Sequence, residues 1–221
     1  MLLAKIKNLI ITLLGNPRIG ASAGKTLAYI WIREDLKNIK GELGVDLGGG
    51  SMLNKKYFKT DKYICVDIDQ SELNKGMIAS PDATAINSRM QEYMKNNSEK
   101  KADFLLCIQT MGANSNFEHD ETFEVIKQMY NFLKPGGSMI FNYGTKNMSS
   151  IHLENYISEF VNKKFQSINI RKYGAFHKTV EKPMHAVNRL LLANLMKNFS
   201  PLRTLFGFKK EKIYFICKNK L

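Results

Sequence analysis

Gly44-Val45-Asp46-Leu47-Gly48-Gly49-Gly50-Ser51-Met52 is the stretch on which the fold turns. The short apolar run Leu43–Leu47 passes directly into three glycines, the pattern of a strand that ends in a tight turn. Glycine reaches positive φ without strain and has no Cβ, so a ligand can lie against the backbone of such a turn. In a sheet built from alternating strands and helices, ligands bind beyond the carboxyl ends of the strands, where these glycines fall. The next apolar run, Tyr63–Ile68, closes on Val66-Asp67-Ile68-Asp69. Asp67 follows Gly48 by about 20 residues, the spacing of an acid that accepts from the hydroxyls of a ribose.

Working outward, the alternation continues. A helix is predicted over Lys25–Lys37, carrying Leu27, Ile30, Trp31 and Leu36. Further strands are predicted over Ala83–Ile86, Ala102–Ile108, Ser138–Tyr143, Ser167–Tyr173 and Lys212–Lys218. Helices are predicted over Phe117–Leu133, stopped by Lys134-Pro135-Gly136-Gly137, and over Leu153–Phe165. Apolar strands alternating with helices imply an α/β fold with a mostly parallel sheet covered on both faces. We read one domain with four parts: an N-terminal helical extension (1–40), a core (41–173), an insertion (174–210) and a final strand (211–221). The insertion carries a basic amphipathic helix with Val187, Leu190, Leu191, Leu192, Leu195 and Met196.

Composition narrows the class of partner. Thirty-three Lys and Arg against 20 Asp and Glu give a net charge of +13, which attracts nucleic acid, anionic lipid or phosphorylated substrates without choosing among them. The three cysteines, Cys65, Cys107 and Cys217, each lie in a strand-like run without metal-ligand spacing. They read as buried reduced thiols, and no metal is expected. Lys5, Lys7 and the apolar run Leu9–Leu14 resemble an export signal only in outline, since the run is short and broken by Thr12. No run approaches the ~20 apolar residues that span a bilayer.

The pairing of glycine turn and Asp67 also occurs in dinucleotide enzymes, whose fingerprint is G-x-G-x-x-G. Here the third glycine position is Leu53. That glycine serves close packing of a helix whose N-terminus takes a pyrophosphate, so its absence favours a ligand without phosphate, such as S-adenosylmethionine. A second glycine-rich stretch, Gly20-Ala21-Ser22-Ala23-Gly24-Lys25-Thr26, has three residues between its glycines where a phosphate loop needs four, and reads as a helix start.

From Gly41 to Tyr143 the chain resembles the class I S-adenosylmethionine-dependent methyltransferases. Asp46–Gly50 is similar to the family's D-L-G-C-G motif, with Gly49 at the fourth position. Asp67 matches the acid after the second strand, and Leu133-Lys134-Pro135-Gly136-Gly137 matches the L-K-P-G-G turn before the fifth. The resemblance implies a Rossmann-like, seven-stranded sheet whose last strand is antiparallel, and S-adenosylmethionine as cofactor. It implies cofactor contacts at Asp46, Gly48, Gly49, Gly50, Asp67 and Ile68. After the third strand the family's acid is replaced by Asn87-Ser88-Arg89-Met90, of which Asn87 or Ser88 is expected at the adenine edge and Met90 on its face. Gln109-Thr110 stands where many base-methylating members carry N-P-P-Y, and both residues are candidate cofactor or substrate contacts.

An alcohol acceptor is helped by a general base, often His. His119, beside Glu118 and Asp120, and His177, after the sixth strand, are the catalytic candidates. In overall style and in its late insertion the chain also resembles small methyltransferases of bacterial surface-polysaccharide biosynthesis. The resemblance implies O-methylation of a sugar or of a phosphorylated or nucleotide-linked glycan precursor. An RNA methyltransferase and a non-catalytic cofactor-binding partner are the alternatives. Residues 185–208 fit a homodimer interface, a substrate lid or a peripheral membrane contact. A cofactor made in the cytosol places the chain there, or at the inner membrane surface.

Overall fold

The computed structural model describes residues 23–111, 119–144, 150–174, 186–199 and 211–221. Seven strands form one sheet: β1 (Lys40–Leu47), β2 (Lys59–Asp67), β3 (Thr84–Asn87), β4 (Ala102–Met111), β5 (Leu133–Gly144), β6 (Phe165–Gly174) and β7 (Glu211–Lys220). Their order is β3-β2-β1-β4-β5-β7-β6. β3, β2, β1, β4 and β5 pair in parallel, and β7 runs antiparallel to β5 with Phe141 opposite Phe215. The α/β class, the parallel sheet and the antiparallel last strand thus follow the sequence expectation.

Six helices accompany the strands among the described residues: α1 (Ala23–Leu36), α2 (Gln70–Ala79), α3 (Met90–Asn96), α4 (His119–Phe132), α5 (Ser150–Asn162) and α6 (Ala186–Asn198). In α4, Val125, Ile126, Met129 and Phe132 repeat at helical spacing and are buried, as are Leu153, Ile157 and Val161 in α5. Two residues fall in a different element from the one expected. Leu133 and Phe165, expected at helix ends, are the first residues of β5 and β6, where both are buried in the main core. α2 and α3 had no counterpart in the predicted elements. α2 buries only Leu73 and Gly76, so its apolar stripe is faint; it starts on Asp69, whose side chain accepts from the Glu72 N–H at 3.1 Å. α3 is a short amphipathic helix of about two turns that buries Met90, Tyr93 and Met94.

The chain divides into two compact units. The larger holds Ile32–Arg171 and Lys212–Leu221. Its main core joins Val45, Leu47, Leu105, Cys107, Phe141 and Phe215 on one sheet face to α3, α4 and α5, and Phe141 stacks on Phe215 with ring centroids 4.9 Å apart. A second cluster, Met52, Tyr63, Cys65, Leu73 and Ala83, lies under α2. The described residues of the smaller unit are 23–31, 172–174, 186–199 and 211. No helix among the described residues is long and apolar enough to cross a membrane.

The turn Lys134-Pro135-Gly136-Gly137 sits at the amino end of β5. Lys134 Nζ donates to Asp103 Oδ2 at 3.1 Å, and the same carboxylate accepts from the N–H groups of Glu42 and Leu43. This motif therefore ties the starts of β1, β4 and β5 together, at the sheet edge opposite the Gly48–Gly50 turn.

Candidate functional site

The carboxyl ends of β1 to β4 bring together the glycine turn, Asp67, Asn87 and Thr110. Gly48 and Gly50 have φ of 72° and 51°, the left-handed region that side chains disfavour. The turn is pinned by Gly48 N–H donating to Val66 O at 2.7 Å and by Gly50 N–H donating to Asp67 Oδ2 at 2.8 Å. The other Asp67 oxygen, Oδ1, accepts from the Asp69 N–H at 2.9 Å. Each carboxylate oxygen thus takes one backbone donor and keeps a lone pair for another. A Cβ added at Gly50 would meet nothing closer than Asp67 Oδ2, at 3.9 Å, so the face of the turn beside Asp67 is open.

The other sides of the turn are filled. A Cβ on Gly48 would lie 2.2 Å from Thr110 Oγ1. The Thr110 hydroxyl has the carbonyls of Ile108, Leu47 and Gly48 within 3.2–3.5 Å as acceptors, so it braces the turn from β4. A Cβ on Gly49 would lie 2.7 Å from Cys65 Sγ and 2.8 Å from Asp46 Cγ.

Asp46 is 1% exposed, and its Oδ2 accepts from Tyr63 Oη at 2.9 Å and Asn54 Nδ2 at 3.1 Å. Burial pushes its carboxyl up to about 6, against the lowering effect of those two hydrogen bonds, with the Asp67 charge adding to the rise. Burial also raises the Tyr63 phenol, which stays a donor, and burial with the Asp46 charge pushes the Cys65 thiol up to about 12. Asp46 is therefore a support beneath the turn. Tyr63 and Asn54 were not picked out from the sequence, and Cys65 only as a buried thiol; for the two strand residues the signal was period-2 alternation, which puts Tyr63 and Cys65 on one face of β2.

Around the rim, Asn87 Nδ2 donates to the carbonyls of Asp67 and Ile68 at 3.2 and 3.0 Å, and Ser88 N–H donates to Asp67 O at 3.1 Å. Asn87 thus orients the loop that carries Asp67 and leaves its own Oδ1 as an acceptor. Ile68 is 72% exposed, an apolar surface beside the carboxylate. Arg89 is exposed at the start of α3. Met90, expected on the adenine face, is buried at 6% exposure in the main core with Tyr93 and Met94, where its apolar thioether packs. The backbone of Gln109 belongs to β4 and that of His119 opens α4, but the side chains of both, and the whole of His177, lie outside the described residues.

The link from β1 to β2 contains no α-helix, only a 3-10 turn at Lys55–Tyr57. Met52, at φ 61°, breaks any helix continuing from the glycines, and its buried side chain fits only because Gly76 of α2 has no Cβ, which would sit 2.7 Å from Met52 Cγ. The turn therefore offers no helix N-terminus to a phosphate. Among the described residues no group of three or more His, Cys, Asp or Glu is placed to hold a metal ion.

The sequence matches no protein-family model and no curated protein. Solved structures are similar to it in fold. The N-methyltransferase NodS from Bradyrhizobium japonicum, solved with S-adenosylhomocysteine, is 8% identical with a TM-score of 0.57, over 90% of this chain and 88% of that one. The plantazolicin methyltransferase BamL, solved with a triazolic desmethyl analogue and S-adenosylhomocysteine, is 11% identical with a TM-score of 0.54, over 90% and 85% of the two chains. An S-adenosylmethionine-dependent methyltransferase from Archaeoglobus fulgidus is 14% identical with a TM-score of 0.52, over 89% and 95%. With the strand order and the antiparallel last strand, these likenesses establish that the chain has the Rossmann-like fold of the class I S-adenosylmethionine-dependent methyltransferases.

Proposed function

We propose that the chain is an S-adenosylmethionine-dependent methyltransferase. The observation that carries this reading is the Asp67 carboxylate, fixed by two backbone donors beside the open face of Gly50 at the carboxyl end of the sheet. Such a carboxylate is preorganised to accept from both ribose hydroxyls. Gly48–Gly50 let the rest of the cofactor lie on bare backbone, with Asp46 supporting the turn from below. Ile68 supplies an apolar surface for the adenine, and Asn87 with Ser88 offers its edge a polar partner. When bound, the cofactor supplies an electrophilic methyl group on a positively charged sulfur. The chain's task is then to hold an acceptor in line about 3 Å from that carbon and keep it oriented. Gln109 and Thr110, at the end of β4, stand where that acceptor would approach. For an alcohol acceptor, His119 or His177 would take the proton.

The acceptor we favour is a small anionic metabolite, a sugar or a phosphorylated or nucleotide-linked glycan precursor, drawn by the net charge of +13. The same charge supports RNA as a second reading.

Calorimetry with S-adenosylhomocysteine tests the cofactor assignment. The wild type should bind, and Asp67→Ala should bind about 100-fold more weakly, since it loses two charge-assisted hydrogen bonds of ~1.5–3 kcal/mol each against some retained packing. A wild type that gives no heat with this ligand would exclude the assignment. Transfer of a labelled methyl group to nucleotide sugars or to RNA then separates the two acceptors, and RNA binding should fall steeply with salt.

A further inference from the structure

Two carboxylates meet at the glycine turn, and among the described residues neither forms an ion pair with a Lys, Arg or His. Asp67 is half-buried beside the turn, where water screens it. Asp46 is 1% exposed and lies against Gly49, where a Cβ would sit 2.8 Å from its Oδ2. The groups that face Asp46 are neutral. Tyr63 and Cys65 reach it from β2, Asn54 from the link after the turn, and Cys107 from β4. Burial raises the Tyr63 phenol and pushes both thiols up to about 12, so none of them carries charge at neutral pH. The one other charge that acts on Asp46 is that of Asp67, which has the same sign. A buried charge without a counter-ion is weakly screened and acts on whatever charge comes to the turn.

We propose that Asp46 is a specificity-determining residue that responds to the charge on the ligand's sulfur, so that the site holds the sulfonium of S-adenosylmethionine in preference to the neutral thioether of S-adenosylhomocysteine. This rests on the reading of the site as one for S-adenosylmethionine. The two ligands share their adenine, ribose and amino-acid groups and differ in one methyl group and one positive charge. Asp67, Asn87 and the bare glycine backbone meet what the two share, whereas the uncompensated charge of Asp46 acts on what distinguishes them. The preference must then follow the ionisation of Asp46. Burial pushes that carboxyl up to about 6, so its charge is present at neutral pH and is lost in mild acid. A bound sulfonium favours the ionised form and expels the proton; a bound thioether does not.

Calorimetry with S-adenosylmethionine and S-adenosylhomocysteine, from about pH 5 to about pH 7, tests this; the amino group common to both ligands stays largely protonated over that range. In the wild type, affinity for S-adenosylmethionine relative to S-adenosylhomocysteine should rise at least about fivefold from the acid to the neutral end. Near pH 6, measured in two buffers of different ionisation enthalpy, S-adenosylmethionine should release at least about 0.3 proton more than S-adenosylhomocysteine. In Asp46→Asn the ratio should stay flat and the difference in proton release should vanish. A wild-type ratio that does not change with pH overturns the proposal, and so does an Asp46→Asn protein that keeps the rise. The wild-type measurements decide alone if that variant does not fold. Both ligands bound at a constant ratio would remove this inference and leave the cofactor assignment standing, whereas a wild type that binds neither would remove both.

Discussion

Asp46→Asn isolates the carboxylate beneath the glycine turn. In the folded chain this group titrates at about 6, against 3.8 for a free aspartate, because burial outweighs its hydrogen bonds to Tyr63 and Asn54. The folded state therefore binds the proton more tightly than the unfolded state. Between about pH 4 and pH 6 it holds more protons, and the unfolding free energy must fall as pH rises through that window. The stabilising effect of the protonated group is fully present below about 4 and gone above about 6. A displacement of roughly two pH units is worth about 3 kcal/mol. Asparagine cannot ionise, so the variant lacks this slope. Its amide oxygen can still accept from Tyr63 and Asn54, which both donate to the same carboxylate oxygen of Asp46. At pH 7 the variant should be at least as stable as the wild type. Urea unfolding of both proteins between pH 4 and pH 8 measures this. Other carboxylates and the global charge largely cancel in the difference. The difference should shift by about 3 kcal/mol in favour of the variant as pH rises through the window. Parallel pH profiles, or a variant less stable by more than about 2 kcal/mol at pH 7, would refute a strained carboxylate at this position.

Three further outcomes follow from other parts of the larger unit. Gly48→Ala adds a side chain at φ 72° and 2.2 Å from Thr110 Oγ1, so it should lower stability by about 2–4 kcal/mol in chemical denaturation; in Thr110→Ala background the loss should shrink by about 1 kcal/mol or more. Arg171 holds Asp35 through two 3.0 Å contacts, and Tyr214 Oη donates to the same carboxylate at 3.2 Å. Burial already raises the Asp35 carboxyl despite these partners, so Arg171→Met should destabilise by about 3–5 kcal/mol at neutral pH and by less in acid, where Asp35 becomes neutral. All three cysteines are buried, and burial pushes Cys65 and Cys107 up to about 12. A thiol reagent should label them only on unfolding, and stoichiometric labelling of the native chain within minutes would contradict their burial.

What the sequence disclosed depended on how each feature is encoded. The sheet was legible because buried parallel strands are continuous apolar runs, and Phe104–Ile108 is unmistakable as one. The glycine turn and Asp67 were legible because backbone conformation and charge are properties of residue type. α2 was not, because it buries one large side chain and is specified by its Asp69–Glu72 cap rather than by periodicity. Met90 adjoins Asn87 and Ser88 in the chain, and the first turn of α3 packs its side chain in the core, a burial that proximity in sequence does not express. The support under the turn was hidden for a different reason. Tyr63 and Cys65 look like ordinary strand residues until the sheet lays them beside Asp46, a contact that sequence spacing does not express. Of the two glycine-containing motifs that carry the family resemblance, Lys134–Gly137 ties the strands together at their amino ends and Asp46–Gly50 lies at their carboxyl ends, a distinction that only their opposite positions on the sheet reveal.

The link between β1 and β2 bears most directly on the ligand. The paired register runs from Lys40↔Lys59 to Leu47↔Val66, so the link must return about 23 Å along the sheet. It has eleven residues, Gly48–Phe58. As an α-helix they would span only about 16 Å, so the length of the link forbids a full crossover helix before any side chain is considered. The chain uses Met52 at positive φ and a 3-10 turn instead. A phosphate at the glycines would thus find no helix dipole, while two carboxylates, Asp46 below and Asp67 beside, contact the turn. An acid at the position of Asp67 is shared with dinucleotide enzymes, where it takes a ribose hydroxyl, so it does not separate the two ligand classes. Asp46 does: at pH 7 its buried charge beneath the turn opposes a pyrophosphate and tolerates a cationic sulfur. The short link and Asp46 therefore act in one direction, against a phosphate at the glycines, which agrees with the sulfonium cofactor proposed above.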